Sequence, residues 1–388
     1  MNLLDRLDAT IKLNEEERLI LESVMALSRE RLGPRAEHYD RTGHFPWDNV
    51  EDINSLGLNA MFVPEAYGGS PLSFTAYLAC VREISKACAA TGIIWATNFH
   101  AIKPLIEYGN DEQKARLLPR IAEGGLAALA ITEPSAGSDA TGMATRFVED
   151  GDEIVINGGK TFITNGDVAD IYLLFGKWNG ITDNKKSISA LILEKGTPGL
   201  NVLRTEDKMG HRASSTATLS FDECRVPRIN LLRNPGDGLS ILLGSLNRSR
   251  PSVAAHALGI ARAAFDDGVA YINERRQSGR RIIEFQGIQF MLADLASELA
   301  LCESYLWHVG ALIDSGRKDF GIEASMLKMR ASDLAMKMTT DVLQMHGGYG
   351  YCKDYRIERL MRDAKITQIW EGTNQVHRQI IGRSFIVK

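Results

Sequence analysis

Apolar residues recur at helical spacing through the first third of the chain. Residues 15–32 (EEERLILESVMALSRERL) carry such a stripe, and Gly33-Pro34 is expected to stop that helix. Helical stretches follow at 74–89 and 111–124, with a turn-rich connector, FVPEAYGG, at 62–69. The period then changes. Residues 153–157 alternate, Gly158-Gly159 breaks the alternation and 160–164 resumes it, which predicts a hairpin. Further strands are expected at 171–177, 187–193 and 217–221. From Gly238 the helical period returns in long runs, at 251–275, 283–314 and 322–346. The pattern therefore predicts an α+β chain in three parts: a helical region over 1–125, a small β-barrel or sandwich over 126–235, and a helical region over 236–388. No internal repeat or low-complexity tract interrupts it.

Composition narrows the class. A chain of 388 residues, 44% apolar and 24% charged, fits a multi-domain globular protein with ample core. A net charge of −4 argues against electrostatic binding of nucleic acid. No apolar run reaches the roughly 20 residues that span a bilayer. The start, MNLLDRLDATIKLNEEER, carries acidic residues early and no long apolar stretch. It predicts neither a secretory signal nor a typical transit peptide, so a cytoplasmic location is expected, although a cleaved transit peptide would leave no trace. The cysteines, Cys80, Cys88, Cys224, Cys302 and Cys352, are widely spaced without a Cys-x-x-Cys pair. That predicts free thiols in a reducing compartment, with neither a metal site nor a disulfide framework.

Candidate chemistry concentrates at 362–375, RDAKITQIWEGTNQ. Glu371 stands after an Ile-Trp pair and before a Gly-Thr-Asn-Gln turn. A carboxylate partly dehydrated by such neighbours becomes a stronger base. Alone, a Glu before a Gly is more often a surface charge at a helix end. The loop ITEPSAGSD, 131–139, is rich in small and hydroxyl residues whose backbone can approach a flat ligand. KTFITNG, 160–166, places an aromatic ring at a strand end, where it either stacks on a cofactor or packs in the sheet. A Gly-x-Gly-x-x-Gly after a strand is absent, since Gly347-Gly348-Tyr349-Gly350 follows a helix. His100 and His211 suggest extra acid–base groups, but a lone histidine in such segments is more often structural.

The segments ITEPSAGSD, KTFITNG, QMHGGYGY, RLMRDAKI and QIWEGTNQ, in that order and approximate spacing, resemble the acyl-CoA dehydrogenase family. The pattern from Phe45 to Ser70 (FP…LGL…VPEAYGGS) is similar to that family's N-terminal domain, so the resemblance spans nearly the whole chain. It implies an N-terminal helical domain, a central β-barrel-like domain and a C-terminal four-helix bundle. It also implies FAD between the last two, homotetramers, and an electron-transferring flavoprotein as electron acceptor.

By position, Leu129, Ile131, Thr132, Gly137 and Ser138 resemble the segment that follows the flavin ring and pyrophosphate. Phe162, Ile163 and Thr164 match the other side of the flavin. Arg275 and Gln277 resemble the grip on the FAD diphosphate and adenosine half; Gln286, Gln344, Gly347 and Gly348 join them, contributed in the family by a neighbouring subunit. Arginine's planar fork suits phosphate. Thr373 and Gln375 would contact the flavin end.

The implied reaction removes adjacent hydrogens from an acyl-CoA thioester. Glu371 would take the α-proton, flavin N5 the β-hydride, and the Glu371 N–H with a ribityl hydroxyl would polarise the thioester carbonyl. Ser138, Asn247, Arg250, Trp370 and Gly372 are the implied substrate contacts. Arg250 before Pro251 is, on its own, as easily a helix-start charge.

Three residues depart from the family pattern: Asn247 where many members have Asp, Trp370 for the common Tyr, and Ser278 for Phe in Arg-x-Gln-Phe-Gly. Trp95, in TGIIWATNFH, either shortens the acyl pocket toward short, branched or cyclic groups or packs a helix. Rival functions are an oxidase or an enoyl-CoA reductase on the same fold, or a non-catalytic flavoprotein scaffold.

Overall fold

The computed structural model describes residues 3–386. Seven helices come first: α1 (Leu3–Asp8), α2 (Glu15–Leu27), α3 (Gly33–Thr42), α4 (Trp47–Ser55), α5 (Phe74–Ala87), α6 (Ala89–Tyr108) and α7 (Asp111–Ala122). Capping boxes fix two of their starts. Asn14 pairs reciprocally with Glu17 at α2, and Asn110 with Gln113 at α7.

The expected stop at Gly33-Pro34 is wrong. The chain runs from α2 through a π-turn, Ser28–Leu32, straight into α3. Gly33 keeps a right-handed φ of −61°, and Pro34 sits in the first turn, where its missing N–H costs little.

The middle is one curled sheet: β1 (Ala127–Ala130), β2 (Arg146–Asp150), β3 (Glu153–Thr164), β4 (Ile171–Trp178), β5 (Ile188–Glu194), β6 (Leu200–Thr205) and β7 (Thr216–Pro227). Its order is β1-β4-β2-β3-β7-β6, with β5 also on β4. The expected hairpin at Gly158-Gly159 is a correction too: β3 is a single strand paired to β7, and its register slips between Ile156 and Gly158. Gly158 is needed there because its φ is +147° and a Cβ would strike Thr145. The alternation breaks at a bulge, and no turn forms.

Helices α8 (Gly238–Glu274), α9 (Gln286–Asp314), α10 (Gly321–His346), α11 (Ile357–Thr367) and α12 (Asn374–Arg383) complete the chain. A two-stranded ribbon, β8 (Arg276–Gln277) and β9 (Arg280–Arg281), follows α8. Helix α8 starts well before the expected residue 251 and passes through Pro251. From Ser249 to Ala264 every residue of α8 is buried, because α5 and α6 cover one side and α10 the other. One hydrophobic core therefore joins the first helices to the last, and a second core fills the sheet.

No disulfide forms. Cys80, Cys88, Cys224 and Cys302 are buried thiols, and Cys352 is exposed. No described helix is long and apolar enough to cross a membrane.

Candidate active site

The turn between α11 and α12 carries Glu371. Its backbone is left-handed at φ +51°, and Gly372 follows at φ +93°. A side chain in that region costs roughly 1 kcal/mol or more, so the surroundings must hold it. Thr373 caps α12 by accepting the Val376 N–H, and buried Asn374 donates to Asp333 at 2.7 Å. Gln375 is exposed on the same helix.

Around the Glu371 carboxylate stand groups from two bundle helices. Ser249 Oγ on α8 donates to Glu371 Oε2 at 2.5 Å. Arg250, the next residue, is buried, donates to Asn247 Oδ1 at 2.8 Å and leaves its Nε without a partner. Burial pushes its guanidinium down, and Glu371 pulls it back up. Lys328 on α10 is wholly buried. Burial drives its ammonium down to about 7, against the pull of Glu371. His100 on α6 is likewise held down by burial and raised by Glu371. Pro251 removes a backbone donor from α8 beside this cluster.

Trp370 packs against His211 and His256, with ring centres 5.2 and 5.6 Å away. Those histidines share a 2.8 Å contact between their Nε2 atoms, and His256 Nδ1 meets Ser85 Oγ at 2.8 Å. His100 Nε2 is bonded to Ser252 Oγ. Both candidate histidines are thus buried and engaged in packing networks. Trp95 is buried among Tyr77 and Phe62, at 5.4 and 6.3 Å between ring centres.

A second group gathers where the sheet meets open space. Thr161 N–H donates to Thr132 O at 2.9 Å, which lays the 131–138 loop beside β3. A buried pair locks it. Lys160 Nζ reaches Glu133 Oε1 at 2.7 Å and Ile131 O at 2.8 Å, while Glu133 also accepts the Thr145 N–H at 3.0 Å. Burial presses the Lys160 ammonium down to about 8, and Glu133 pushes back. Leu129, Ile131, Thr132 and Thr164 are half-buried and Ile163 is buried. Gly137 and Ser138 are exposed. Phe162, at φ +59°, turns a large ring outward and leaves it 63% exposed. An aromatic ring and a loop with no obstruction at Gly137 fit a flat cofactor.

The third group lines a cleft of about 710 Å³ at the end of the bundle: Arg275, Gln277, Gln344, Gly347 and Gly348, with Tyr271 and Tyr349. Arg275 lies 5.1 Å over the Tyr349 ring. Gln286, at the start of α9, is exposed but is not among the cleft's lining residues. None of the sheet residues named above, nor Glu371, lines this cleft. A grip of half-buried arginine with exposed amides and glycines fits one end of a dinucleotide.

Comparison with known proteins decides what these parts belong to. The C-terminal, N-terminal and middle domains of acyl-CoA dehydrogenase match residues 236–386, 14–125 and 128–224. The chain belongs to the acyl-CoA dehydrogenase family. It is 41% identical to an acyl-CoA dehydrogenase of Bacillus subtilis over 95% of this chain and 97% of that protein. An acryloyl-CoA reductase (NADH) of Anaerotignum propionicum is 40% identical over 96% of this chain and 94% of its own. A chain in a structure titled for the electron transferring flavoprotein of Acidaminococcus fermentans superposes with a TM-score of 0.94, at 41% identity, covering 97% of this chain and 99% of that one. A glutaryl-CoA dehydrogenase from Mycobacterium smegmatis, solved with FADH2, gives a TM-score of 0.91 at 27% identity over 99% and 96%.

Sequence reading missed Ser249 and Lys328. Both left a signal. Ser249 adjoins Arg250 in LNRSRP, and Lys328 is a lone charge on the face formed by Ala324, Ala331 and Ala335.

Proposed function

We propose that this chain catalyses FAD-dependent α,β-dehydrogenation of an acyl-CoA thioester to the 2-enoyl-CoA, with Glu371 as the base. The observation that carries the reading is the Glu371 carboxylate, held on a left-handed turn, bonded to Ser249 and flanked by buried Arg250 and Lys328.

FAD, when bound, supplies the acceptor for the β-hydrogen and its electron pair. The exposed Phe162 ring, the Thr132 loop and the Thr164 strand end would seat its flavin half. Arg275, Gln277, Gln344, Gly347 and Gly348 would grip the diphosphate and adenosine half of a cofactor held by a neighbouring subunit of a homotetramer; Gln286 would stand beside them. The Glu371 N–H would polarise the thioester carbonyl, which makes the α-proton acidic enough to leave. Trp370 and Gly372 would bound the thioester, and Ser138 the CoA side. Asn247 and Arg250 are paired with one another, so their contact with substrate would run through that pair. Domains of 1–125, 126–235 and 236–388 divide these roles.

Electrons would pass to an electron-transferring flavoprotein, a reading supported by the Acidaminococcus likeness, and the protein would work in the cytoplasm. The likeness to an acryloyl-CoA reductase favours one second reading, reduction of a short enoyl-CoA. Anaerobic titration of the yellow protein with a panel of acyl-CoA thioesters tests both. Bleaching by a saturated thioester supports dehydrogenation. A flavin that no saturated thioester bleaches, but that an enoyl-CoA reoxidises, supports the reductase.

A further inference from the structure

Lys328 lies on α10 among buried Ala324, Leu327, Ala331, Ser332 and Ala335. An ammonium is costly to bury, and an apolar side chain would fill the same space without that cost. It forms no ion pair among the described residues. Its contacts are with the turn that carries Glu371: Nζ donates to Gly372 O at 2.7 Å and to Asn374 Oδ1 at 3.1 Å. Gly372 O is the first carbonyl after the base. Asn374 is tied on its other side to Ser332 Oγ at 2.9 Å and to Asp333. The turn is also closed from behind, since a Cβ on Gly372 would come within 3.2 Å of His377 Nε2. The charged and titratable groups facing Lys328 are Glu371, Arg250, Asp333 and His377.

We propose that Lys328 is a positioning residue for proton abstraction: its ammonium pins the Gly372 carbonyl, fixes the left-handed turn and so aims the Glu371 carboxylate. The inference rests on the reading of Glu371 as the base. A charge that holds backbone, at a place where packing alone asks for an apolar residue, marks a local conflict of the kind found at functional sites. Lys328 touches no reacting atom and acts through the turn.

The test is an acyl-CoA analogue with sulfur in place of the β-carbon. Its α-proton is acidic, and it has no β C–H to give up as hydride. Transfer of that proton to the base leaves an enolate beside oxidised flavin, seen as a long-wavelength charge-transfer band. Wild type should develop the band. Lys328→Met should keep its flavin and bind the analogue with a Kd within about 3-fold, yet lose the band and kcat by roughly 10-fold or more, the weight of a hydrogen bond to a charged group. Lys328→Ala should regain both with ethylammonium, in proportion to its concentration.

A band in Lys328→Met equal to wild type overturns the inference alone. A Lys328→Ala band indifferent to the amine does the same, as does failure of both variants to fold, which would assign Lys328 to architecture. Absence of the band in wild type overturns instead the reading of Glu371.

Discussion

The Glu371 turn and the Arg275 cleft are built on opposite plans. The half-buried turn is backed by side chains of its own chain, with Ser249, Arg250, Lys328 and Asn374 all buried around it. The cleft is open, and its Gln277, Gln344, Gly347 and Gly348 are exposed. Proton transfer needs groups fixed within a fraction of an ångström, which packed helices provide. A long cofactor can be gripped by surfaces that meet only on assembly. The reading thus assigns chemistry to one chain and cofactor retention to the contact between chains.

The sharpest way to break that contrast is Glu371→Gln. It should keep flavin but lose turnover by at least roughly 10²-fold, measured as flavin reduction per bound FAD. Arg275→Ala should do the reverse: flavin affinity falls by roughly 10-fold or more, for a lost charge-assisted bond, while turnover per bound flavin stays near wild type. If Arg275→Ala slows the chemistry at full flavin occupancy, the division of labour is wrong. Ser249→Ala removes one hydrogen bond to the base and should cost kcat about 3- to 10-fold, with KM little changed.

The smallest effect concerns pH. Burial holds His256 and His377 down to about 3 and His211 well below its usual range. In the unfolded chain these histidines take up protons near 6.5. Their contribution is therefore fully present above about pH 6.5 and is lost as pH falls, toward about 3 for His256 and His377. Asp363, raised to about 6 by burial, opposes this below pH 6, but it is one group against these three and His100, which burial also holds down. Urea midpoints measured from pH 7 to 5 should fall, and a flat profile would contradict the burial of these rings.

The helical–β–helical order was legible because the apolar period changes where the architecture changes. Local breakers misled. Gly33-Pro34 and Gly158-Gly159 look like stops, but one opens a helix and the other accommodates a bulge against Thr145. Such tertiary demands leave little trace in a local pattern. At the site, the residues around Glu371 were only half legible. Arg250 stands in a recognisable segment, whereas Lys328 is distant in sequence, and its charge on an alanine face gains a meaning only once α10 is packed against the turn. Gln286 was expected with the cleft and instead lies outside its lining.

The central claim, that Glu371 takes the α-proton, is tested most directly by hydrogen exchange. An acyl-CoA without β-hydrogens, incubated with the flavin-loaded protein in deuterium oxide, should lose its α-proton signal by NMR with wild type and retain it with Glu371→Gln. Equal exchange by the two proteins would contradict the account.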